Sequence, residues 1–171
     1  MHNTTQRIRI QIRFDDRFRR QVGEEGDSNP LTGMTIEVQG DYVLGSSESA
    51  VGDYMTGNLI GQFEALPGVI RDEKEVVEFF NGPMWLVFEP VDGDSVTISG
   101  CHTIGGVRDP SQRIFVDTSQ VVTKQAWISE LVRVTKDYVE KMCNLNPSLA
   151  THSDIQTLSK YAEQYERWEL E

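Results

Sequence analysis

Near the start of the chain Ile8, Ile10, Ile12 and Phe14 alternate with Arg7, Arg9, Gln11 and Arg13. Period two, with one apolar and one polar face, predicts a half-buried strand. Residues 21–33 hold Gly23, Gly26, Pro30 and Gly33 and read as a polar loop. Alternation returns at Met34, Ile36 and Val38, so a second strand is expected over residues 34–43, hairpin-paired with the first. A Ser/Gly loop follows at 45–52. Asp53 is then placed to cap a helix over about residues 54–66, in which Leu59, Ile60, Phe63 and Leu66 fit helical spacing and which Pro67-Gly68 ends.

Short strands are expected next at 76–80, 84–91 and 95–101. Asn81-Gly82-Pro83 turns the chain between the first two, and Asp92-Gly93 makes a hairpin turn of the kind that favours positive φ between the others. Ile114, Val116 and Val121 suggest a last strand over 113–122. The final third reads as helical. Trp127, Leu131, Val134, Tyr138, Val139 and Met142 share one face, and residues 144–147 stop that helix. Ser153 with Gln156 has the form of a capping box, after which Ile155, Leu158, Tyr161, Tyr165 and Trp168 continue an apolar stripe. The order β-β-α-β-β-β-β-α-α, with short turns between strands, predicts one α+β domain over residues 1–171. Its expected architecture is a mostly antiparallel sheet of five or six strands, with one mid-chain helix and two C-terminal helices packed on it.

Composition narrows the class. At 171 residues and 38% hydrophobic content, with three Trp, five Tyr and seven Phe, the chain can bury a core without staples. Cys101 and Cys143 do not form a disulfide framework and read as reduced small hydrophobes. No apolar run approaches the roughly 20 residues that span a bilayer. Charges inside the N-terminal apolar pattern break any signal-peptide core. A soluble, cytoplasmic protein is expected. The net charge of −11 disfavours nucleic acid and anionic membranes and favours a partner protein with a basic surface. The charge is uneven. Arg7, Arg9, Arg13, Arg17, Arg19 and Arg20 make the first segment basic, whereas residues 24–109 carry most of the acid.

No motif for catalysis, metal or cofactor emerges. His2, His102 and His152 are scattered, without Cys or acid at ligand spacing. Cys101 and His102 are adjacent, so on a strand they face opposite sides, and a thiol nucleophile would need another histidine. Asp92-Gly93-Asp94 opens like a calcium loop but lacks the distal Glu. Gly93, Gly100, Gly105 and Gly106 lack the Gly-Lys-Ser/Thr of a phosphate loop. The arginine face has no interleaved aromatics with which to stack RNA bases. The acidic run Asp72, Glu73, Glu75 and Glu78, together with Asp92 and Asp94, is either a solvated face or a patch for a cationic partner; these six are the candidate partner-binding residues. Tyr161, Tyr165 and Trp168 are either core or an aromatic end that docks a partner.

A strand hairpin, the helix Leu59-Ile60-Gly61-Gln62-Phe63-Glu64-Ala65-Leu66, a charged stretch, Trp85-Leu86-Val87-Phe88-Glu89-Pro90, the strand Val96-Thr97-Ile98-Ser99 and C-terminal helices follow one another over about residues 34–168. This succession resembles small immunity proteins of bacterial polymorphic toxin systems, of the wall-associated toxin type. The resemblance implies a stoichiometric binder without a catalytic site, acidic because the target's active site is often basic. The expected function is therefore a non-enzymatic, acidic protein-binding module, with an immunity or inhibitor protein as its sharper form. The alternatives are a small-ligand-binding or enzymatic α+β domain whose site assembles from distant residues, and a structural subunit of a larger assembly.

Overall fold

The computed structural model describes residues 7–168. The first of its two antiparallel sheets holds β1 (Ile8–Ile12), β2 (Leu31–Val38), β3 (Asp41–Leu44) and β4 (Val51–Tyr54). The long β2 is its centre: it pairs with β1 on one side, and on the other with β4 along its first half and β3 along its second. The second sheet holds β5 (Glu75–Glu78), β6 (Trp85–Asp92), β7 (Ser95–Cys101) and β8 (Thr118–Thr123), in that order. The helices are α1 (Asp16–Gly23), α2 (Met55–Ile70), α3 (Ile104–Arg108), α4 (Lys124–Leu145) and α5 (Ser153–Tyr165). The class is α+β, as the pattern predicts. Among the described residues the single sheet of five or six strands is not found: there are two sheets of four, and two helices more than expected.

Local chemistry explains each departure. Gln39 and Gly40 both take positive φ, 51° and 91°, and fold the expected strand 34–43 back on itself as the β2–β3 hairpin. β1 and β2 are joined through α1 rather than a tight turn. The Asp15 carboxylate caps this helix by accepting from Phe18 N (2.9 Å), and Phe18 and Val22, one turn apart, are buried. Asp53 caps nothing; it lies buried in β4, and α2 starts two residues later without a side-chain cap. Pro67 does not end α2, because buried Leu66 and Val69 continue its apolar stripe for another turn. The last strand begins only at Thr118, since the side chains of Arg113 and Asp117 bind local backbone and hold residues 113–117 out of the ladder. α5 is capped by His152 Nδ1, which accepts from Asp154 N, rather than by Ser153.

One core joins the inner faces of both sheets to α2, α4 and α5. Trp127 of α4 lies 5.5 Å from Phe88 of β6, and Phe63 of α2 stacks on Tyr161 and Tyr165 of α5 at 5.4 and 6.0 Å. The C-terminal aromatic stripe is thus core rather than a docking end. Where the sheets meet, the Val43 carbonyl comes so close to β7 that a Cβ on Gly100 would sit 2.2 Å from it. Only glycine admits that approach. Among the described residues no helix is long and apolar enough to cross a membrane.

Candidate interaction surfaces

β5 is an edge strand, and α2 runs beside its open side. Between them lies a groove of about 510 Å³. Gly57 and Gly61 keep the helix side of the groove low, while Glu64 of α2 and Glu75 and Glu78 of β5 make its lining acidic. Val76 and Phe80 add exposed apolar surface, with Phe80 73% accessible. The register of β5 on β6, with Phe79 N donating to Met84 O, turns the peptide groups of Val76 and Glu78 away from the sheet.

A buried carboxylate holds this edge in place. Asp53 Oδ1 accepts from the backbone N–H groups of Phe80 (3.0 Å) and Asn81 (3.2 Å), while Oδ2 accepts from Asn58 Nδ2 (2.9 Å). Asn58 Oδ1 in turn accepts from Gln62 Nε2 (2.7 Å). This chain of contacts fastens the end of β5 to β4 and α2, and Asp53 is fully shielded from solvent.

The six acidic candidates divide into two sets. Glu75 and Glu78 line the groove. Asp72 and Glu73 lie just before β5, and Asp92 and Asp94 at the β6–β7 turn; the side chains of Asp72, Glu73 and Asp92 are already engaged. Asp72, at φ 60°, pairs with the ammonium of Lys124 (2.7 Å), which is buried to 1% accessibility and also donates to Ile70 O (3.1 Å). Lys124 N donates to Asp94 O (2.8 Å), bringing Asp72 and Asp94 together. Glu73 pairs with Arg71, whose guanidinium holds the carboxyl below the usual range. Asp92 accepts from the N–H groups of Asp94 and Ser95 and so shapes the β6–β7 turn, as a plain hairpin aspartate does. Glu64 and Phe80 were not among the sequence candidates. Glu64 lies between the apolar positions of the helix expected over residues 54–66, and Phe80 at the end of the strand expected at 76–80.

The outer face of the second sheet carries a polar cluster under α3. Arg113 donates to Glu89 (2.6 Å), Ser99 Oγ (3.1 Å) and Gly106 O (3.0 Å). His102 Nδ1 lies 2.8 Å from Asp117, whose carboxylate is sealed from solvent and also accepts from the N–H groups of His102 and Ile114. Together these side chains pin a turn that presents Phe115 at 97% exposure. Cys101 is buried beneath, packed with Val87 and Val107, and burial pushes its thiol up, the opposite of what a nucleophile requires. Among the described residues no group of three or more His, Cys, Asp or Glu is placed to hold a metal ion. Comparison with protein-family models, curated proteins and solved structures found no match for the chain.

Proposed function

We propose that the chain is a non-enzymatic protein-binding module that receives a cationic segment of a partner protein in the acidic groove between α2 and β5. The observation behind this reading is the groove itself. Three carboxylates, an open strand edge and the exposed Phe80 converge there, on a wall that Asp53 holds fixed. Carboxylates at the rim steer a basic partner and make association salt-dependent, while an aromatic such as Phe80 supplies the desolvated contact that slows dissociation. The open peptide groups of Val76 and Glu78 suit an extended segment added alongside β5. An immunity or inhibitor protein that neutralises a basic toxin is the specific form of this activity that the acidic composition and the order of elements favour.

The test uses the protein as bait in a lysate of its source cell, with a salt gradient for elution. The double variant Glu64→Lys, Glu78→Lys serves as a second bait. A basic partner that the native protein retains, that moderate salt releases and that the double variant fails to retain supports the reading. Equal retention of that partner by both baits, or no basic partner at any salt, rejects it.

A further inference from the structure

A second recess, of about 910 Å³, runs along the outer edge of β1 against α4. The bonding of β1 to β2 determines what this edge offers. Arg13 N donates to Gly33 O and Gln39 N to Arg7 O, both at 2.9 Å, so the odd-numbered residues of β1 face β2. The even-numbered residues Ile8, Ile10 and Ile12 turn their peptide groups outwards. Those of Ile10 are occupied: its N–H donates to Glu130 Oε2 (2.7 Å), and its carbonyl accepts from Arg133 Nη2 (3.0 Å). Those of Ile8 and Ile12 meet no partner among the described residues. They are four residues apart, about 13 Å along the strand. On the exposed face beside this edge stand Arg7, Arg9 and Arg13.

We infer that the β1 edge is a second binding site, which takes an acidic, extended segment of a partner protein as a fifth strand of the first sheet. The main-chain groups of Ile8 and Ile12 supply a donor and an acceptor each, the pairing unit of strand addition. Side chains of an added strand alternate between faces. Carboxylates on its exposed side therefore meet Arg7, Arg9 and Arg13, while its other side faces Phe14 and the mostly charged α4 wall of Glu130, Arg133, Val134 and Asp137. A second copy of this chain does not satisfy the site through its own β1, because arginine would then face arginine across the pair. A polynucleotide fits less well. The outward carbonyls repel phosphate, and the arginine face offers no aromatic platform for bases.

Glu130 and Arg133 act as a latch. At Ile10 they supply the acceptor and donor that a strand would, and they close the middle of an otherwise open edge against indiscriminate pairing. An entering segment that bonds the whole edge must swing them aside.

The test pans the full chain with a displayed library of random segments about ten residues long, the upper range of a strand. Enrichment of segments with Asp or Glu at alternate positions is expected. A synthetic peptide of the recovered sequence should bind about tenfold or more weaker to the triple variant Arg7→Gln, Arg9→Gln, Arg13→Gln. Methylation of alternate peptide nitrogens should abolish its binding. Glu130→Ala with Arg133→Ala should strengthen it, and Glu64→Lys with Glu78→Lys should leave it unchanged, separating this site from the acidic groove. The substituted arginines are exposed, and circular dichroism verifies that each variant is folded; any that is not gives way to the corresponding single substitution. Recovery of segments without acidic alternation overturns the inference. So does binding that survives nitrogen methylation, and displacement by poly(U) RNA as effective as by the peptide would assign the arginine face to nucleic acid instead.

Discussion

The edges of β1 and β5 are built alike and charged oppositely. Each is the outer strand of a four-stranded antiparallel sheet, each lies beside a helix, and each leaves alternate peptide groups facing a recess. Along β1 the lining includes three exposed arginines; along β5 it includes three glutamates. They differ as much in how they are fastened. The end of β5 is secured from inside by the buried carboxylate of Asp53, which leaves the groove free. The middle of β1 is secured from outside by Glu130 and Arg133, which occupy part of the recess itself. A strand edge can therefore be stabilised without being closed only when the anchoring group sits behind it, and here that holds for the acidic edge alone.

Removing the inner anchor should have the largest effect. Asp53→Ala leaves two backbone N–H groups and the Asn58 amide without their acceptor, and a loss of about 3–4 kcal/mol in urea unfolding is expected. Amide exchange at Phe80 and Asn81 should accelerate, and the β5 groove should lose its cationic partner while the β1 edge is unaffected. Equal weakening of both sites would mean that the two edges are not independent. The entry end of β5 gives a smaller, asymmetric effect. Asp72→Asn tolerates the positive φ but withdraws the counter-charge of buried Lys124, at a cost of about 1–3 kcal/mol. Lys124→Met removes the buried charge itself and should fall within about 1 kcal/mol of the native protein. A larger loss for the methionine variant would show that the pair is a net stabiliser of the β5 entry.

Much of the fold was legible because it rests on local periodicity. β1 alternates cleanly between isoleucine and polar residues, and α4 carries an apolar face. The β6–β7 hairpin lies at Asp92-Gly93 as expected, but neither residue takes the positive φ expected there; the turn is shaped by the Asp92 carboxylate and a register shift at Pro90/Asp92 instead. What was not legible depends on tertiary partners. Asp53 has the profile of a helix cap, and only the approach of Phe80 and Asn81, almost thirty positions on, turns it into a buried anchor. Gln39-Gly40 and the Asp15–Phe18–Val22 spacing carry β3 and α1 in the sequence, the first inside the alternation of residues 34–43 and the second among polar residues. For the site, Glu75 and Glu78 were named from charge alone. Asp72, from the same acidic run, turned out to be committed to a lysine fifty positions away, and no sequence pattern distinguishes an exposed carboxylate from one with a distant partner.

The smallest effect concerns the β1 latch and decides whether its two side chains act as one. Glu130 and Arg133 bond each other at 2.6 and 2.8 Å as well as to Ile10. Glu130 is 11% accessible and Arg133 55%. Glu130→Ala exposes a strand N–H and frees an arginine, for which a loss of about 1 kcal/mol is expected. Arg133→Ala leaves a carbonyl that water can reach and a carboxylate that keeps its bond to Ile10 N, so its loss should be smaller, a few tenths of a kcal/mol. If the pair works as a unit, the double variant should cost no more than Glu130→Ala alone, the coupling in a double-mutant cycle taking up the whole loss seen with Arg133→Ala. Strict additivity would mean that the two side chains close the edge independently, Glu130 at the Ile10 N–H and Arg133 at its carbonyl. The edge would then open in two separate steps, one side chain at a time, and the contrast with the internally anchored β5 would rest on two unconnected contacts.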